Sequence, residues 1–315
     1  MARVLQSWIL SYLIEACTGE KDVSGLLAIE KTSISNERRN QGMIIAGKRK
    51  KGLAAKIVTL AMLGCMVCVS VSAAEEADDA GKLAVDLDAT YVSKYIWRGY
   101  DLFDDHAAFQ PSVNIDLFGT GFSLNVWGSI PMGTGSNNQG GGINVWQEYD
   151  YTAAYGFSVF EDEVYALDFG VNYIYFHFPK LNHLSDTQEI GVSVAMPNLL
   201  KIGDSALVPS YYVGKLWPTS TGAGDVAGGY HTFALSYDLA IPETDYSLSL
   251  FTDINYNDGL FGSDNDWSHA TFGISTSVDV GQVSVTPFLN YQLSMEDSVN
   301  DDDELYGGVS VSFSF

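Results

Sequence analysis

The chain has 315 residues, of which 39 are Asp or Glu and 16 are Lys or Arg, giving a formal net charge of −23. Such an acidic chain is a poor partner for nucleic acid, because binding to a phosphate backbone depends on Lys and Arg. The 3 cysteines, Cys17, Cys65 and Cys68, all precede residue 73, so the rest of the chain cannot be a disulfide-stapled scaffold.

The first interpretable element is a secretory signal peptide at residues 43–73. A basic patch, Lys48 to Lys51, is followed by an uncharged apolar run and then by the small residues Val71 to Ala73, the pattern of a cleavage site. A membrane-anchoring helix is the alternative, but the run is shorter than the roughly 20 apolar residues that a spanning helix needs. We therefore predict a non-native or disordered leader at 1–42 and a periplasmic lead-in at 74–82.

Residues 83–315 repeat one pattern, the alternation of apolar and polar side chains that places them on opposite faces of a strand. The last strand shows it well, since Phe313 and Phe315 alternate with Ser312 and Ser314. We predict an all-β, transmembrane, antiparallel up-and-down β-barrel of twelve strands. In chain order they cover about residues 83–95, 109–117, 122–130, 143–157, 164–178, 188–196, 207–217, 230–241, 246–256, 269–280, 282–293 and 305–315.

The connections alternate between short turns and longer loops rich in Gly, Asn and Asp. An even strand number with this alternation is typical of bacterial outer-membrane barrels, with short periplasmic turns and longer extracellular loops. Tyrosines near the strand ends suit the interfaces of outer-membrane lipid and lipopolysaccharide. The closing strand, which ends in Phe315, is expected to pair with the first strand and to engage the barrel-assembly machinery. A soluble β-sandwich is the alternative, but a sandwich of this length would normally divide into two domains, and no linker is evident.

The stretch TYVSKYIWRGYDL, from Thr90 to Leu102, resembles the N-terminal motif of the TorF family of bacterial porins. Further resemblance runs through Ala108 to Ser129 and Glu148 to Phe157, about the first third of the exported part. The resemblance implies a small outer-membrane barrel whose substrate is poorly defined. It supplies no catalytic or ligand-binding residue.

Carboxylates and amides collect on the faces expected to point inward. Without residues 1–73 the chain has 6 basic and 34 acidic residues, a formal charge of −28. Charged side chains are costly against lipid, so these positions need a wet interior, and a wet acidic interior favours cations. We predict a porin-like channel for passive diffusion of small polar solutes. Its predicted pore-lining residues are Asp86, Asp88, Lys94, Arg98, Asn114, Asp116, Glu148, Asp150, Asp168, Asn172, Asp253 and Asp279.

The two basic residues of that set belong to the TorF-like motif. If the first strand keeps its register to its end, Lys94 and Arg98 point inward and Tyr95 and Trp97 face lipid. Both bases then lie in the outer half of the barrel.

Glu148 and Asp150 should lie at a similar height on another wall, and two interpretations follow. The opposed charges could orient polar solutes in a constriction. Alternatively, they could form a salt-bridged plug that closes a narrow barrel, leaving it a structural role.

A lipid-hydrolysing, phospholipase-like barrel is a further alternative, and it needs a nucleophile within hydrogen-bonding reach of a histidine. We predict exposed histidines in loops or at outer strand ends, without a serine two residues later on the same face, and therefore no enzyme and no catalytic residue. No cofactor or metal site is predicted, because Asp253, Asn255 and Asn257 begin like a calcium loop but Gly259 comes one position late. The five histidines are His106, His177, His183, His231 and His269.

Overall fold

The computed structural model describes residues 81–133, 146–181, 185–203, 205–221, 225–242, 244 and 246–315. All of them fall within the compact unit Leu60–Phe315. The predicted leader, the signal peptide, almost all of the lead-in and His183 lie outside the described residues. In the described part of the chain, no helix has the length and apolar character needed to cross a membrane.

A closed antiparallel barrel of twelve strands makes up the described fold, which confirms the predicted fold class. The strands are β1 (Ala84–Val92), β2 (Ile96–Trp97), β3 (Tyr100–Asp101), β4 (Ala107–Asp116), β5 (Phe122–Met132), β6 (Glu148–Val159), β7 (Leu167–His177), β8 (Thr187–Ala195), β9 (Leu200–Ile202), β10 (Ser205–Pro218), β11 (Gly228–Ala240), β12 (Ser247–Asp258), β13 (Asp266–Ser275), β14 (Val278–Val280), β15 (Val283–Ser294) and β16 (Glu304–Ser314). The short strands β9 and β14 pair with β10 and β15, β2 pairs only with β3, and the other twelve strands form the wall.

The last strand closes the barrel against the first, as predicted. In this seam Asp86 lies opposite Ser314 and Asp88 opposite Ser312, and the hydroxyl of Ser310 donates a hydrogen bond to Asp88. The small serine side chains leave room beside the two aspartates. We call the end of the barrel where β1 leads to β4 the loop end, and the opposite end the turn end.

The pleat of the wall turns apolar side chains outward and polar ones inward. On β6, for example, Glu148, Asp150 and Thr152 are buried, whereas Tyr151 is 46% exposed. The outward face of β5 is equally apolar, with Leu124 45% exposed. A soluble sandwich would bury its apolar faces, so this inverted distribution favours a barrel with an apolar surround.

Aromatic side chains cluster on the outer surface towards both ends of the barrel. Phe157 and Phe169 stack at the turn end with ring centroids 5.2 Å apart. Towards the loop end, Tyr256 and Trp267 meet edge to face at 5.6 Å. Two such levels separated by aliphatic residues are the arrangement of interfacial aromatic girdles.

The first strand departs from its predicted course. β1 ends at Val92, and residues 93–106 fold into the barrel; we call this segment the lumen hairpin. Its tip is the two-residue turn Arg98–Gly99 between β2 and β3, where φ is 50° and 92°. Positive φ at both positions is the signature of a type I′ hairpin turn. The expectation that Tyr95 and Trp97 face lipid is therefore wrong: their exposed fractions are 3% and 4%, because the turn sends the chain back inside the wall.

Candidate functional site

The tip of the lumen hairpin is held by a buried ion pair with the opposite wall. Nη2 of Arg98 lies 2.6 Å from Oε1 of Glu189 on β8, and Nη1 donates to Oε2. Arg98 is 7% exposed and Glu189 0%. Burial alone lowers the pKa of Arg98, but the charge and hydrogen bonds of Glu189 outweigh it and raise that pKa. The guanidinium therefore stays charged in a forked pair, the geometry that suits arginine and carboxylate.

Aromatic groups complete the surroundings of this guanidinium. The rings of Trp97 and Tyr230 lie 4.5 and 4.8 Å from its central carbon, Cζ. The hydroxyl of Tyr212 donates to Glu189, and that of Tyr230 donates to Asn255 over 2.8 Å. A cation over ring faces is stabilised further when it is removed from water.

Four more hydrogen bonds fix the hairpin to wall strands and to the connection that follows β12. The hydroxyl of Tyr95 donates to Oε2 of Glu148 on β6 over 2.8 Å. Gln292 on β15 donates to the carbonyl of Gly99 over 2.9 Å. Tyr100 accepts a hydrogen bond from Asn257 of β12 over 3.0 Å and donates to the carbonyl of Leu260 over 2.8 Å. The hairpin thus spans the lumen instead of lying along one side of it.

Little space remains beside the hairpin. A cavity of about 20 Å³ lies next to Arg98, enough for roughly one water molecule. Its lining comes from the hairpin and from β11, β12, β13, β15 and β16. These lining residues include Arg98, Tyr230, Asp253, Asn255, His269 and Gln292. Among the described residues, the hairpin crosses the lumen at this level and contacts wall strands on several sides.

The base of the hairpin is also ion-paired. Nζ of Lys94 lies 2.7 Å from Oε2 of Glu304 on β16 and contacts Asp105. Burial alone lowers the pKa of Lys94, but hydrogen bonds to Asp105 and Glu304 raise it. Carboxylate oxygens of Asp101, Asp105 and Glu304 lie within 4.8 Å of one another, close enough to hold a metal ion. The ammonium group already supplies positive charge there, so these carboxylates fit a salt bridge.

The structure brings together part of the predicted set. Glu148 and Asp150 lie on β6 at the level of the hairpin, as expected, but the partner of Arg98 is Glu189. Within the described residues, Oδ1 of Asp150 is buried and accepts no hydrogen bond. The carboxyl groups at the level of Arg98, from Glu148, Asp150 and Glu189, therefore outnumber its one guanidinium.

The other predicted residues lie elsewhere. Asn172 is buried, and Asp253 accepts a hydrogen bond from Asn255 over 2.6 Å. Asp279 lies on β14, outside the twelve wall strands, opposite Ser284. Near the turn end, Asp86 is exposed on the wall, and the partly exposed members of the predicted set are Asp88, Asn114, Asp116 and Asp168.

Sequence reasoning missed Glu189, Tyr212 and Tyr230. Alternation on β8 does place Glu189 inward, but it gives no sign of a partner 91 residues earlier in the chain. Two glycines at inward positions, Gly191 and Gly214, were the available sequence signal for large side chains on the neighbouring strands. A Cβ at Gly214 would lie 2.7 Å from Oε1 of Glu189, and one at Gly191 would collide with Tyr212. Glycines at these positions let the wall accommodate the carboxylate and the phenol.

The prediction of exposed histidines is wrong for His269, which is buried at 4% exposure beside the hairpin. Its Nδ1 lies 3.0 Å from the hydroxyl of the adjacent Ser268, also buried. His269 lies opposite the inward-facing Asn255 and two residues before the buried Thr271, so regular alternation turns it into the lumen. A serine and histidine placed there are not presented to surrounding lipid.

No protein-family model and no curated protein matches the chain. Among solved structures it is similar to the KdgM porin, with a TM-score of 0.44 and 10% identity over 73% of this chain and 99% of that chain. It is also similar to an outer-membrane channel from Pseudomonas putida F1, with a TM-score of 0.44 and 10% identity over 77% of this chain and 100% of that chain. The resemblance to the TorF family stays a prediction, because no family model confirms it.

Proposed function

We propose that the chain is an outer-membrane channel for small polar solutes, in which the lumen hairpin controls passage. The observation that carries this proposal is the polar wall behind the hairpin. A barrel that needed only a packed interior would be expected to line it with apolar side chains, because buried polar groups cost free energy unless they are paired. Here Asn172, Glu189, Asn255, Asn290 and Gln292 face inward and are buried. Such a lining suits a lumen that water and solutes enter when the hairpin withdraws.

The proposed channel prefers cations. Near the turn end, the carboxylates Asp86, Asp88, Asp116 and Asp168 are exposed or partly exposed on the inward-facing register of the wall. Opposing bases are scarce, because Lys94 and Arg98 both belong to the hairpin and are both ion-paired. A lumen lined by one sign of charge concentrates the opposite ion and favours its passage.

The proposed location is the bacterial outer membrane. The apolar outer face and the aromatic girdles suit contact with lipid and lipopolysaccharide. The closing strand would be recognised by the barrel-assembly machinery, and its terminal Phe315 is exposed. Under this assignment the turn end faces the periplasm.

A permanently closed barrel with a structural role is the second candidate. The observation that favours it is the attachment of the hairpin to five wall strands, through Glu148, Glu189, Asn257, Gln292 and Glu304. Nothing in the described site favours lipid hydrolysis over these two candidates.

Planar-bilayer recording of the pure refolded protein tests the channel. We expect small single-channel steps that favour K⁺ over Cl⁻, with a preference that weakens at high salt because surface charge is screened. Replacing Asp88 and Asp116 together by asparagine should reduce that preference. The matched control is Asp264→Asn, which neutralises an exposed carboxylate beyond β12 and should leave it unchanged. Anion preference would contradict the acidic lumen. The absence of single-channel steps in both the wild type and a variant with a released hairpin would support the closed barrel.

A further inference from the structure

We propose that Glu189, Tyr212 and Tyr230 form a guanidinium-binding site on the lumen wall, which Arg98 of the lumen hairpin occupies in place of a solute. The inference rests on the proposed channel function, because it names a class of solute for the same lumen. That class is small organic cations that carry a guanidinium group, such as free arginine.

The contacts of Arg98 are those of a ligand in a fitted site. Its two terminal nitrogens bond to the two oxygens of Glu189, which distinguishes a planar guanidinium from the point charge of an ammonium. The ring of Tyr230 lies 4.8 Å from Cζ and covers one face. A carboxylate fork and an aromatic face are the two features by which proteins select guanidinium groups.

Apart from the ring of Trp97, which belongs to the hairpin, the groups that surround the guanidinium belong to the wall. Glu189 is on β8, Tyr212 on β10 and Tyr230 on β11, three consecutive wall strands. The hydrogen bond from Tyr212 orients the carboxylate independently of Arg98. When the hairpin withdraws, these groups stay in place and Glu189 loses its cation. A carboxylate in a narrow lumen then favours a replacement cation, because an unpaired buried charge is costly.

The tethered arginine leaves part of the site unused. Its Nε is buried and donates no hydrogen bond among the described residues. The cavity of about 20 Å³ beside it presents Asp253 and Asn255. A free solute is not held by the hairpin backbone, so it can place a further donor towards these acceptors. The nearby carboxyl groups of Glu148 and Asp150 add further oxygen acceptors at this level, and Oδ1 of Asp150 accepts no hydrogen bond among the described residues.

Thermal unfolding of the purified Arg98→Ala barrel in detergent tests the site without requiring conductance. We expect L-arginine, at about tenfold above its Kd, to raise the unfolding temperature by roughly 3–6 °C. L-Citrulline is the uncharged isostere of arginine and should give no shift. L-Lysine carries a positive charge but lacks the two terminal nitrogens of a guanidinium group, so it should give a smaller shift in unfolding temperature. The double variant Arg98→Ala/Glu189→Gln should respond to none of the three.

A second measurement uses the wild type and needs no variant to fold. L-Arginine should accelerate deuterium exchange of the amides of residues 93–106 by competing with Arg98, and L-citrulline should not. Equal responses to the two amino acids, or none in either measurement, would overturn the guanidinium site. A barrel that conducts K⁺ but fails both tests keeps the proposed channel function. If both binding tests give the expected result but the barrel never conducts, the guanidinium site is supported and the proposed channel function is contradicted.

Discussion

Replacing Gly99 by valine is expected to release the lumen hairpin and to raise single-channel conductance several-fold while the barrel stays folded. Gly99 has a φ of 92°, a conformation that side chains with a Cβ rarely adopt. A Cβ there would lie 2.6 Å from Nδ1 of His269 and 2.8 Å from Cγ1 of Val299. Strain and collision both oppose the turn that delivers Arg98 to Glu189. The wall strands pair without the hairpin, so their closure should survive.

Gly281 offers a matched control for that experiment. It shares a positive φ, 70°, but a Cβ added to it at the turn end would have no other atom within 4 Å. Gly281→Val should therefore show the backbone strain without the collision and keep the wild-type conductance. Planar-bilayer recording gives the conductance, and deuterium exchange over residues 93–106 reports whether the hairpin has left. Fast exchange with no gain in conductance would show that the lumen stays closed for another reason.

The wall was predictable from the sequence because its determinants are local. Each strand carries its own period-two pattern, and the count of twelve fixes which strands meet at the seam. Those two facts place the inward serines of the last strand beside Asp86 and Asp88, and the structure adds the register, with Asp86 opposite Ser314 and Asp88 opposite Ser312. Inward positions such as Glu148 and Asp150 were found for the same reason. No long-range information is needed to assign a face to a residue on a regular strand.

The hairpin was not predictable from alternation alone. Tyr95 and Trp97 continue the spacing of β1, so the pattern is the same whether the chain stays in the wall or folds inward. The sequence Arg98–Gly99 is the local sign of a turn, but the regular alternation of apolar residues around it predicts a continuing strand. What decides the outcome is a set of distant partners, including Glu189 and Gln292, 91 and 193 residues away from the hairpin tip. Such contacts leave no local pattern.

Removing one partner of the buried pair Arg98–Glu189 should lower the free energy of unfolding much more than replacing both partners by apolar residues. Glu189→Ala leaves a guanidinium in the lumen without its carboxylate, and we expect the free energy of unfolding to fall by about 3–5 kcal/mol. The double variant Arg98→Met/Glu189→Leu removes both charges and keeps comparable volume. It should recover most of that loss, since apolar replacement of a buried ion pair is often neutral or stabilising. Urea-induced unfolding in lipid vesicles, followed by circular dichroism, measures both.

Release of the hairpin sets an upper limit on the cost of the single substitution. If withdrawing residues 93–106 into water costs less than keeping Arg98 unpaired, the measured loss stops at the free energy of docking the hairpin. The hairpin amides would then exchange rapidly with deuterium in Glu189→Ala, whereas they would stay protected in the double variant. Asp303→Asn is the control, because the hydrogen bond from Tyr291 to Asp303 lies on the exposed surface and contributes little. Equal losses in the single and double variants would mean that Arg98 and Glu189 hold the hairpin by shape and not by charge, and the same result would remove the electrostatic basis of the guanidinium site.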